Sequence, residues 1–137
     1  MALEATLIYE TGVPVPFTCA DGATIEKGSI LILTDPATVA VTTGDTDEII
    51  GIAAEEKIAN DGKTKIAVYM EGIFRGFAGA AGVTAGLAII TDTATGAANE
   101  LVVADVNSEA IVGMALETAA DTESFLFKLA PFNVNLA

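Results

Sequence analysis

"GSILILTDPATVA", from Gly28 to Ala40, is echoed by "AGLAIITDTATGA", from Ala85 to Ala97. Both stretches run from a glycine through apolar residues into Thr-Asp and then Ala-Thr. The echo extends outward. Ile25 and Gly28 match Val83 and Gly86 at an offset of 58. "EIIGIAAE" (Glu48 to Glu55) matches "AIVGMALE" (Ala110 to Glu117), with Gly51 lying 62 residues before Gly113. "KIAVYM" then matches "SFLFKL", with Ile66 against Phe125 at an offset of 59. β proteins reuse Gly, Ile and Thr freely, so short matches can arise by chance. Here three landmarks keep their order, and the drift in offset falls in turn-rich stretches. The reading is two pseudo-repeats, about 17–70 and 77–130.

Each half reads as a string of strands. The apolar pieces are short and rich in β-branched residues, and turn chemistry separates them: "ADGAT" at Ala20, "TTGD" at Thr42, "NDGK" at Asn60 and "TATGA" at Thr93. In "KIAVYM", Ile66, Val68 and Met70 alternate with Lys65, Ala67 and Tyr69. In "SFLFKL", Phe125, Phe127 and Leu129 alternate with Leu126 and Lys128. No helical stripe of any length competes. "DEIIGIAAEEKIA" contains good helix formers, but Gly51 at its centre favours a strand followed by a turn. A small sheet cannot bury both its faces alone. The expectation is therefore an all-β fold, a small β-barrel or sandwich in which the two halves close on one core, joined by "EGIFRGFAGAAG" (Glu71 to Gly82). Ile30, Ile32, Ile50, Ile66, Val68, Ile89, Val112, Phe125 and Phe127 are expected inside.

Of 137 residues, 52% are hydrophobic, 6% are aromatic and none is Trp, so the core must be built from aliphatic side chains. Nineteen acidic against six basic residues give a net charge of −13. That charge opposes binding to nucleic acid phosphate and to an anionic membrane. It favours solubility or a basic protein partner. Cys19 is the single cysteine, so no intrachain disulfide is expected. "MALEATLIYE" lacks the basic and apolar regions of a signal peptide, and no stretch approaches the roughly 20 apolar residues of a membrane span.

The search for catalytic chemistry yields little. The chain contains no His, which removes Ser-His-Asp and Cys-His arrangements and the usual zinc sites. Cys19 has Asp21 nearby and no basic neighbour in sequence, and reads as a buried thiol. "GDTDE" (Gly44 to Glu48) lacks the central glycine and distal glutamate of an EF-hand and reads as a solvated turn. Glu55 and Glu56 resemble any acidic surface. "GAAGVTAG" (Gly79 to Gly86) lacks the Lys-Ser/Thr of a phosphate-binding loop. No cofactor and no metal is expected, and the chain does not read as an enzyme. Arg75, the single arginine, fits either an ion pair across an interface or a plain surface position.

The ends lie outside the repeat. Residues 1–16 carry Leu3, Leu7, Ile8, Tyr9 and Val13, with Pro14 and Pro16 at alternate positions that suit an extended edge segment. They read either as an arm that adds a strand to another protein or as an edge strand of the chain's own barrel. The domain division expected is an arm over 1–16 and a β domain over 17–137.

Taken together, "GATIEKGSILIL", "IIGIAAEE", "KIAVYMEGIFRGFAGAAGVTAGLAII" and "AIVGMALETAADTESFLFKL" resemble the capsid decoration, or cement, proteins of tailed bacteriophages over about residues 17–130. The resemblance implies a compact β fold, usually a homotrimer, on the outer surface of the capsid at junctions between capsomers. It implies the major capsid protein as partner and an N-terminal arm that reaches the shell, with no catalytic residues. On that reading Leu3, Leu7, Ile8, Tyr9, Val13, Pro14 and Pro16 form the capsid-binding arm, and Arg75, Phe77, Gly79 and Gly82 are candidates for a trimer contact. The alternatives are another phage β domain, associated with tail or spike, or a small carbohydrate-binding module. The last has two tyrosines and no tryptophan for a stacking platform.

Overall fold

The computed structural model describes residues 4–42, 48–91, 99–104 and 110–133, without the side chain of Asn133. These residues form eleven strands and no helix: β1 (Thr6–Tyr9), β2 (Val15–Thr18), β3 (Ile30–Thr34), β4 (Thr38–Val41), β5 (Ile49–Ala53), β6 (Lys65–Tyr69), β7 (Gly72–Ala78), β8 (Ala88–Thr91), β9 (Glu100–Val103), β10 (Ala110–Ala115) and β11 (Ser124–Asn133). They close two five-stranded barrels. The first runs β2-β4-β3-β5-β6 and closes where β6 pairs with β2. The second runs β7-β9-β8-β10-β11 and closes where β11 pairs with β7. β1 is added antiparallel on β7.

The all-β expectation holds, but each half closes its own barrel instead of sharing one. The closing strands are the reason. β2 and β7 come from the stretches read in the sequence as arm and linker. Pro16 obscures β2, yet it is tolerated because β2 meets β4 only at Thr18 and its ladder runs along β6. In β7 the inward positions are Gly72, Phe74, Gly76 and Ala78, a mixture of small and aromatic residues that hides the alternation. Pairing first strand with last removes the open edges within each half.

The two barrels share strand order and pairing. Each has one parallel strand pair, β2 with β4 at Thr18 and Thr38, and β7 with β9 at Phe77 and Glu100 and at Ala78 and Leu101. Each has one isolated bridge, Ile25 with Lys57 and Val83 with Ala119. Gly51 lies opposite Leu31, and Gly113 opposite Ile89. A Cβ on Gly51 would fall onto the Tyr69 carbonyl oxygen, and one on Gly113 onto that of Lys128. The close approach of neighbouring backbones thus requires glycine at the same place in both barrels.

Cys19, Ile25, Leu31, Val39, Ile66 and Val68 fill the first barrel. Phe74, Leu101, Val112, Phe125, Phe127 and Leu129 are among those that fill the second, with Phe74 and Phe127 stacked at 6.0 Å between ring centroids. Ile30, Ile49 and Ile52 point out of the first barrel and pack into the cluster of the second. Their burial is worth on the order of 5 kcal/mol and makes the two barrels one body. Of the nine residues expected inside, Ile32 and Ile50 are only half-buried. Leu31 takes the interior place on β3, which turns Ile32 outward to the edge of the inter-barrel contact.

Candidate docking surfaces

Residues 4–9 bridge the barrels. The Ala5 amide donates to the Gly28 carbonyl at 2.9 Å. Gly28 has a φ of 92°, and the space its side chain would need is taken by the Ala5 carbonyl oxygen and Glu4 Cβ. Glycine is required there on both counts. The chain then runs along β7, with Thr6 opposite Arg75, Leu7 opposite Phe74 and Tyr9 opposite Ile73. Leu7 packs against the second core. Ile8, Tyr9 and Val13 are 41%, 65% and 81% exposed. Pro14 is half-buried, and Pro16 lies exposed in β2 opposite Ala67. Leu3 lies outside the described residues. Of the stretch read as an arm, Thr6–Tyr9 therefore pairs with the protein's own β7, and a boundary after residue 16 runs through β2. β1 ends its sheet, so its outer edge carries no further strand among the described residues.

Outward residues of the second barrel form a continuous row across four strands and β1: Ala88, Met114, Lys128, Ile73 and Tyr9. Leu116 and Leu87 border it, both well exposed. Exposed apolar side chains grouped on one face make that face a candidate contact surface. Arg75 and Lys128 are the only basic residues after position 71. Arg75 lies half-buried on β7, 3.8 Å from Glu117 and 3.4 Å from the Ser124 hydroxyl. That exposed ion pair adds little to stability. Phe77 is half-buried on the same strand. Gly79 and Gly82 are buried and serve the second barrel itself: the Gly79 amide donates to Leu101 at 2.8 Å, and a Cβ on Gly82 would meet the Ala119 carbonyl oxygen at 2.9 Å. The four residues offered for a subunit contact thus divide, with Arg75 and Phe77 on the outer face and the two glycines inside.

Two charged groups without a sequence signal hold the first barrel and the N-terminal segment. Lys57 has a fully buried side chain, donating to the carbonyls of Asp21 at 2.7 Å and Ile58 at 3.2 Å and to Asp61 Oδ1 at 3.0 Å. Amide donation from Lys63, and then the Lys57 ammonium, lower the Asp61 carboxyl to a pKa of about 2. Glu4 hydrogen-bonds Glu26, and burial followed by the Glu26 charge raises its pKa above 4.5. Burial raises the Cys19 thiol, an inert group in a filled interior. Lys57 escaped the sequence reading because its partner position in the echo is Ala119, which is apolar.

Among the described residues, no three acidic, histidine or cysteine side chains gather as a metal site, and no helix is long and apolar enough to cross a membrane. The arrangement offers surfaces for contact: an open strand edge, an apolar outer face with two cations, and strongly acidic surroundings. No curated protein matches the chain. The phage cement protein family matches residues 9–129, from the end of β1 to within β11, taking in both barrels. The chain belongs to the phage cement protein family.

Proposed function

We propose that the protein binds the outer surface of an assembled phage capsid and stabilises it, as homotrimers at junctions between capsomers, with the major capsid protein as its partner. Family membership supports a capsid-stabilising structural role. The observation that carries the rest is the exposed apolar segment left after both cores are filled: Ile8 and Tyr9 in β1, whose outer edge is open among the described residues, and Val13 in the stretch that follows it. An open edge accepts an extended segment through main-chain hydrogen bonds, and nearby apolar side chains provide the buried area. Binding to the assembled shell and not to its separated parts stabilises the shell by mass action. Several contacts per trimer add through effective concentration.

The test is co-sedimentation with purified shells. Deleting residues 2–16 would remove half of β2, so the informative changes are Tyr9→Asp and Val13→Asp on the exposed side. The intact protein should pellet with shells, and the double variant should bind at least tenfold more weakly. An intact protein that stays in the supernatant, or a double variant that binds equally well, rejects this reading of the edge.

A further inference from the structure

The two barrels meet through a contact of which both halves recur, unused, elsewhere on the molecule. One half is an outer ladder of the first barrel, in which Ile30 faces Ile52 and Ile52 faces Tyr69. Ile30 and Ile52 are 1% and 0% exposed because they seat on the second barrel. The other half is the end of the second barrel around Phe74, Thr91 and Asn99, all buried. The Ile30 amide donates to Asn99 Oδ1 there at 3.1 Å, and the Tyr69 ring meets the Phe74 ring edge-on at 5.8 Å.

Matching the barrels strand by strand gives the counterparts. Ile30, Ile52 and Tyr69 correspond to Ala88, Met114 and Lys128, which form the same ladder on the outside of the second barrel. That ladder is exposed, with Met114 at 37%. Phe74, Thr91 and Asn99 correspond to Val15, Leu33 and Ala37 at the end of the first barrel. These are exposed too, Val15 at 37% and Leu33 at 36%, although their counterparts Phe74 and Thr91 are each 1% exposed. Among the described residues, one molecule therefore ends in a free ladder at one side and a free barrel end at the other. The two surfaces also differ in charge: Lys128 stands in the free ladder, and exposed Asp35 lies two residues from Leu33 at the free end.

We infer that a second copy of this chain docks head to tail, its first-barrel end around Val15 and Leu33 seated on the Ala88–Met114–Lys128 ladder, repeating between molecules the contact made within each. Such an interface is heterologous and closes into a ring when the rotation permits. Three copies would place six barrels in one ring, so this inference rests on the trimeric reading and assigns its surface. Every barrel in the ring would cap its neighbour, and the exposed apolar residues at both ends would be covered.

The test uses two exposed substitutions, Met114→Glu on the ladder and Leu33→Glu on the barrel end, with Lys128→Glu as a milder second change to the ladder. Molecular mass is read by light scattering at high protein concentration. The unaltered protein should be an oligomer, and each variant alone a monomer. An equal mixture of Met114→Glu and Leu33→Glu retains one intact contact and should give dimers and nothing larger. A monomeric unaltered protein, an oligomer that survives both substitutions, or a mixture that stays monomeric overturns the inference. Shell co-sedimentation is read separately. A monomer that still binds shells removes the head-to-tail contact and leaves the cement reading intact, whereas an oligomer that ignores shells does the reverse.

Discussion

The backbone amide of Ile30 in the first barrel donates to the side-chain oxygen of Asn99 in the second at 3.1 Å, across 69 residues of chain. Asn99 is 2% exposed, and its Nδ2 finds no acceptor among the described residues. The bond links the barrels at the place where Ile30 and Ile52 are packed. Asn99→Ala would strand the Ile30 amide in a dry contact, which costs about 1–3 kcal/mol, offset in part by removal of the unpaired Nδ2. The unfolding midpoint in urea should fall. An unchanged midpoint would mean that the contact holds through packing alone.

Lys57 gives a second prediction. Its ammonium joins the carbonyls of Asp21 and Ile58 to the Asp61 carboxylate. The corresponding residue at the bridge of the second barrel is Ala119, so an apolar side chain fits this kind of site but leaves the loops untied. Lys57→Met should cost about 1–3 kcal/mol through the lost charged hydrogen bonds, with Asp21 and Asp61 free to rehydrate. Denaturant titration checks it; a stability equal to that of the unaltered protein would show that the loops hold without the ammonium.

Glycine positions predict a sharp contrast. Gly51→Ala and Gly113→Ala each drive a methyl group into a neighbouring carbonyl oxygen, and should each cost about 1–3 kcal/mol or more. Gly22→Ala meets only the Asn60 side chain, at 3.9 Å, and should change stability by less than about 0.5 kcal/mol. Thermal melts of the three variants would decide it, and equal losses at all three would refute the backbone argument.

Two carboxyls should pull the pH dependence of stability in opposite directions. Glu4 is raised above 4.5 by burial and by Glu26. Its protonated form fits the fold, so its contribution is full below 4.5 and is lost as pH rises through the raised value. Asp61 is lowered from 3.8 to about 2, so its contribution is present above 3.8 and is lost as pH falls toward 2. Glu4→Gln should therefore gain on the unaltered protein as pH rises from 4.5, read from stability curves, and amide exchange at Ala5 should report the same trend. A constant difference between the two proteins across that range would exclude the Glu4 linkage.

Much of this was legible in the residues. Short β-branched runs, Asp-Gly turns and the alternation in "KIAVYM" and "SFLFKL" define an all-β chain, and Ile66, Val68, Phe125 and Phe127 lie where their parity puts them. The closing strands were not legible. Pro16 in β2 and the Gly-Phe mixture of β7 lack the pattern of a buried strand, because barrel closure is a tertiary demand met by whatever backbone can pair. Leu7 reads like Ile8 and Tyr9, yet only Leu7 turns toward the core at β1. The inter-barrel role of Asn99 had no local signal, since its partner is 69 residues away.

Under the proposed function, this acidic two-barrel protein stabilises an assembled capsid by binding its outer surface. The most direct measurement is the disruption temperature of purified shells, stripped of the protein and then titrated with it. The account predicts that the temperature rises with added protein and levels off when the shell sites are filled, with bound protein accessible to antibody on intact particles. A disruption temperature that stays unchanged at saturating protein would contradict it.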